Sequence, residues 1–126
     1  MRRRRGKLGV ITDAGSISPV MREALQHCDA LLLECNHDVE RLQQSSYPAA
    51  LKRRILGSHG HLSNAQAAEL LQACLHPRLR VVLAAHLSER NNTPALVESA
   101  LAPCCTSLSL SIAAQAQGHD WLKVGD

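Results

Sequence analysis

Residues 80–92, Arg-Val-Val-Leu-Ala-Ala-His-Leu-Ser-Glu-Arg-Asn-Asn, constrain this chain more than any other stretch. The run opens on two valines and stays apolar through Ala85, the composition of a strand buried on both faces of a parallel sheet. It stops abruptly at His86, and Ser88, Glu89, Arg90, Asn91 and Asn92 follow. Thr93-Pro94 then opens a helix, because proline suits a first helical turn. A histidine therefore stands at the carboxyl end of a buried strand, the edge where open α/β sheets place their ligands.

The rest of the chain supports a sheet of that kind. Leu8–Thr12 reads as a buried strand, broken by Asp13, Ala14 and Gly15. Ser18-Pro19 supplies a cap and an N1 proline for a helix with Val20, Met21, Ala24 and Leu25 as its apolar stripe. Ala30–Leu33 is a second short strand, followed at once by the polar cluster Glu34-Cys35-Asn36-His37-Asp38. Val39–Gln43 suits a helical turn, and Ala49–Leu56 a helix that Gly57 stops. Ser63-Asn64-Ala65-Gln66 matches a capping box ahead of a helix with Ala67, Leu70, Leu71, Cys74 and Leu75 on one face. Ser107–Ile112 alternates with period two, placing Leu108, Leu110 and Ile112 inward. The order β-α-β-α-α-β-α-β is that of an α/β layered domain.

The chain's 126 residues suit one domain with a modest core. Without phenylalanine, and with one Trp and one Tyr, that core must be built from Leu, Val, Ile and Ala. No apolar run approaches the ~18 residues of a membrane span, and Arg2–Arg5 lead into no long apolar stretch of a secretory signal. No membrane partner is expected, and a cytoplasmic setting is. The five cysteines form no C-x-x-C pair and are odd in number, which suits reduced thiols. Arg2, Arg3, Arg4, Arg5 and Lys7 outweigh the whole net charge of +3, so the remainder is acidic on balance. That arm has two readings, a phosphate-contacting segment and a solvated terminus or hairpin turn; the second is the simpler.

Three strand ends release metal-capable groups: Asp13, then Glu34 to Asp38, then His86. In a mainly parallel sheet these ends share one edge, and His59-Gly60-His61 adds a loop beside a helix start. Carboxylate and imidazole are the usual donors to Zn²⁺ or Mn²⁺. Thr12–Gly15 offers the rigid, closely approached turn that a metal-bridging carboxylate requires. Each residue also has a plain structural role open to it. Asp13 could cap the next turn, His37 and Asp38 could cap the following helix, and His61, His59 and His86 could pack or hydrogen-bond locally. His27, His76 and His119 read as surface residues.

Four blocks occur in order: Thr12–Gly15, Leu31–Asp38, Gly60–Ala68 and Ala85–Asn92. Together they resemble the carboxyl-terminal half of a metallo-β-lactamase-fold hydrolase. The nearest likeness is to the YycJ/WalJ-type exonuclease-like branch, with ribonuclease Z and cyclic phosphodiesterases as more distant relatives. The resemblance covers roughly residues 8–102. It implies a fold class of α/β, as the carboxyl-terminal half of an αββα sandwich. It also implies two divalent metal ions, zinc or manganese, that activate a hydroxide in the intact protein. On that resemblance Asp13 is the bridging carboxylate and His86 a metal ligand. His61 and His37 approach the scissile phosphate as catalytic imidazoles, and Ser88 and Asn91 are substrate donors.

The superfamily's main metal motif, His-x-His-x-Asp-His, is absent. The stretch from His59 to Asn64 starts like it but has Ser63 and Asn64 where Asp and His are required. Each metal needs about four to six donors, so this chain carries at most a partial site. Met1 and the arginine run could mark a start inside a longer reading frame, and half the sandwich would leave a bare apolar sheet face. The expected organisation is one partial domain over 1–126, with a basic arm at 1–7, an α/β core at 8–113 and a tail or edge strand at 114–126. The expected function is part of a metal-dependent phosphodiesterase or nuclease acting on a phosphodiester or nucleic acid. It needs an amino-terminal half, in trans or upstream in an intact gene, and a homo-oligomer is a further possible partner. The alternative is a truncated, non-catalytic α/β module that binds a partner chain or nucleic acid.

Overall fold

A computed structural model describes residues 5–12 and 14–113. Asp13, most of the basic arm, and the expected tail or edge strand at 114–126 lie outside the described residues.

Four strands form one sheet: β1 (Leu8–Ile11), β2 (Ala30–Glu34), β3 (Val81–Ala85) and β4 (Ser109–Ile112). All neighbours are parallel, and the order is β1-β2-β3-β4. The connections carry α1 (Pro19–Ala24), α2 (Val39–Gln43), α3 (Ala49–Leu56), α4 (Asn64–Cys74) and α5 (Pro94–Leu101), the last running into a 3-10 turn at Ala102–Cys104. The chain is thus an α/β layer, as one half of a metallo-β-lactamase-type sandwich would be.

Caps fix the helix starts. Ser18, Asp38, Ser63 and Thr93 each accept a hydrogen bond from the backbone N–H three residues on, and Ser63 and Gln66 complete the reciprocal capping box. Gly57 ends α3. Leu108, Leu110 and Ile112 pack against the core as the alternation requires.

The strand order explains where that core lies. Each crossover steps one strand further in the same direction, and parallel crossovers share one hand. Helices α4 and α5, with α1 packed against α4, therefore collect on one face. Leu31, Leu33, Val82 and Ala84 meet Leu70, Leu71, Val97 and Leu101 there, all nearly fully buried.

The opposite face corrects two expectations. β1 is not a buried strand, since Leu8 is 53% and Val10 54% exposed. β3 is not buried on both faces, since Val81 and Leu83 are only half-buried, as is Leu32 between them and β1. The helix α1 stripe also needs correcting: Leu25 is buried, whereas Val20 is 75% exposed and Ala24 is exposed too.

Candidate functional site

The carboxyl ends of β2 and β3 are level, with Glu34 paired to Ala85. Beyond them the backbones stay clamped. Cys35 N donates to Ala85 O at 3.0 Å, and Ser88 N to Asn36 O at 2.7 Å. On the other side Asn36 N donates to Leu62 O at 3.0 Å, and Asn64 N to His37 O at 2.8 Å. The segment 35–38 is held like a short extra strand between the loop bearing His61 and the loop bearing His86.

Asn92 ties the same three segments together from below. Its Nδ2 donates to Cys35 O (2.8 Å) and Asn64 Oδ1 (2.9 Å), and its Oδ1 accepts from Asn64 Nδ2 (2.8 Å) and Thr93 N (2.9 Å). Both asparagines are buried, and their reciprocal bonds satisfy polar groups that burial would otherwise penalise.

Glu34 is the centre of the site. Its side chain is wholly buried, yet Oε1 lies 3.1 Å from His61 Nδ1 and 3.7 Å from His86 Nδ1. Oε2 accepts from Leu62 N at 3.3 Å. A buried carboxylate needs such partners. In return it orients the His61 ring, 3.1 Å away, and favours the tautomer that donates through Nδ1.

His86 is half-exposed and adopts φ 58°, a left-handed backbone uncommon outside glycine. Its carbonyl accepts from Asn36 Nδ2 at 3.1 Å, which braces that turn.

An open groove of about 510 Å³ runs beside this cluster. His61, Ser88 and Asn91 line it; His37 and His86 do not. Ser88 Oγ accepts from Asn91 N at 3.2 Å, leaving its hydroxyl proton for another acceptor. The Asn91 side chain is almost wholly buried, and its carbonyl Oδ1 finds no partner. The structure describes no position for Asp13.

His37 has more enclosed surroundings than His61 or His86. The ring is buried, contacts Asn36 Oδ1 through Nδ1 at 3.3 Å, and leaves Nε2 buried without a partner. Burial, and then the nearby His61, push its pKa down to about 4, against a smaller upward pull from Asp38. The ring is not among those that line the groove. Cys35 is inert, because burial and the adjacent Glu34 push its thiol up to about 12.

Among the described residues no group of three or more His, Cys, Asp or Glu is placed to hold a metal ion. Glu34 and His86 alone do not make a metal site.

Sequence reasoning placed Glu34 among the metal-capable groups at a strand end on this edge, but gave it no role of its own. The signal was present: a carboxylate that directly continues an apolar run ends a strand, and aligning two strand ends sets it beside His86. Tyr47, Arg54 and Arg90, which also line the groove, were not singled out.

Known proteins align with most of the chain. The exodeoxyribonuclease WalJ of Streptococcus pneumoniae serotype 2 (strain D39 / NCTC 7466) is 34% identical over 111 residues, covering 88% of this chain and 41% of that protein. The exodeoxyribonuclease YycJ of Bacillus anthracis is 32% identical over 114 residues, covering 90% and 43% respectively. This chain is a relative of the WalJ/YycJ proteins. It spans about two fifths of their length. The WalJ/YycJ relationship agrees with the resemblance carried by the four sequence blocks. A scan against protein-family models finds no match. No helix among the described residues is long and apolar enough to cross a membrane.

Proposed function

We propose that this chain is the carboxyl-terminal part of a metal-dependent nuclease, a hydrolase of phosphodiester bonds in DNA. The observation that carries the reading is a buried carboxylate, Glu34, set between His61 and His86 at the carboxyl edge of the sheet beside an open groove. The names of the WalJ and YycJ relatives support the reaction class.

A ring held through Nδ1 by a carboxylate does its proton chemistry through Nε2, as in other carboxylate–histidine pairs. His61 is in that position on the groove wall, so it is the residue assigned to give a proton to the leaving oxygen. Ser88 donates a hydrogen bond to the substrate phosphate. His37 supports the loop from behind.

Two divalent ions, zinc or manganese, would supply the activated hydroxide. This chain would contribute Asp13 and His86, and the remaining donors would come from outside the described residues. A partial domain over 1–126 that works with an amino-terminal half fits the share of the relatives it spans.

The test is complementation. The 126-residue chain is incubated with Mn²⁺ or Zn²⁺ and end-labelled linear DNA. It is assayed alone and with the segment of WalJ to which it does not align. Turnover only in the mixture is expected. No turnover in either condition, with both parts folded, would leave the non-catalytic module as the correct reading.

A further inference from the structure

Helix α3 buries none of its residues. Its apolar side chains nevertheless have a direction. Leu51 and Ile55, one turn apart, both line the groove and are half-exposed. Tyr47, just ahead of Pro48 at the helix cap, joins them there.

Tyr47 is the only tyrosine in a chain that has no phenylalanine. It sits on the groove wall rather than in the core, with the Arg90 guanidinium 6.0 Å from its ring centroid. Arg90 is itself anchored, because its carbonyl accepts from Arg41 Nε at 3.0 Å. Arg54 lines the same groove, and Glu89 is the one acidic residue among the lining side chains. The groove therefore combines a flat apolar strip with two cations, next to Ser88 and His61.

That pairing suits one chemical class: a nucleotide whose base lies on a π or aliphatic surface while its phosphate meets a guanidinium. A paired base inside a duplex offers no free face, so the ligand is an unstacked nucleotide in a single strand or at a frayed end.

We infer that Tyr47, with Leu51 and Ile55, forms a base-stacking platform, and that Arg54 and Arg90 hold the adjoining phosphates of a single-stranded DNA end. The inference rests on the nuclease reading for its substrate, but it concerns binding and not cleavage.

The experiment measures fluorescence anisotropy of a labelled oligothymidylate and of an abasic oligomer of the same length. It uses the 126-residue chain in EDTA, so that no hydrolysis intervenes. The chain is expected to prefer the base-bearing oligomer by about tenfold. Tyr47→Ala should remove the preference and Tyr47→Phe should keep it. Arg90→Ala should weaken both oligomers alike and reduce the salt slope by about one. Equal binding of the two oligomers by the unaltered chain would overturn the inference, as would an unchanged preference in a folded Tyr47→Ala variant. Base preference without turnover in the complementation assay leaves the platform standing and removes the nuclease reading; turnover without base preference does the reverse.

Discussion

Glu34 and His61 are separated by 27 positions in the chain and by 3.1 Å in space, carboxylate oxygen to Nδ1. The carboxylate is wholly buried, while the imidazole reaches the groove. Glu34→Gln keeps the shape and removes the charge. In the complemented protein it should lower turnover by roughly 100-fold, the lower range for general acid–base catalysis. Stability should change by no more than about 2 kcal/mol. Steady-state rates and urea denaturation of the same preparation check both.

Asp13 and His86 are assigned to metal binding, and His61 to proton transfer. Asp13→Ala and His86→Ala should therefore abolish turnover together with bound metal, read by elemental analysis after desalting. His61→Ala should cut the rate while leaving most of the metal. Full metal content and full rate in the first two variants would remove them from the site, and equal loss of rate and metal in the third would make His61 a ligand.

His37 gives a pH signature. Its folded pKa is about 4, below the ordinary 6.5, because burial disfavours the charged ring. The unfolded chain thus binds this proton more readily, and stability falls as pH drops from about 6.5 towards 4. Between pH 7.5 and 5 the loss from this one group should be about 2 kcal/mol. His37→Gln should flatten that part of the profile. Urea midpoints at the two pH values, for both proteins, provide the comparison.

Much of this architecture is legible in local sequence. Ser18-Pro19, Thr93-Pro94 and the Ser63–Gln66 box each mark a helix start, because capping depends on residues only three apart. The alternation at Leu108, Leu110 and Ile112 marks the inward face of β4. Sidedness is not legible in the same way. Leu8 and Val10 look like core residues, and they stay exposed because the strand order sends the helices to the other face. The role of Glu34 is hidden for a related reason: it depends on the register of β2 against β3. Tyr47 and Arg90 meet only because two separate loops close over one edge.

Gly15 and Gly60 are a fourth point of test. A β-carbon at Gly15 would stand 2.5 Å from Gly57 O and closer still to Gly60 N, and one at Gly60 would press into Ile55 O. Gly15→Ala should therefore destabilise the chain by about 1–3 kcal/mol through overpacking. It should also lower turnover of the complemented protein more than an exposed substitution such as Ser16→Ala. Thermal melts and rates of the two variants decide it.

That contact joins main chain to main chain, with no side chain between to bend out of the way. The bend at Gly15 and the His59–His61 wall thus behave as one mechanical part. A ligand that wedges the groove open at His61 would push on the bend at Gly15, and strain applied at either place would be felt at the other.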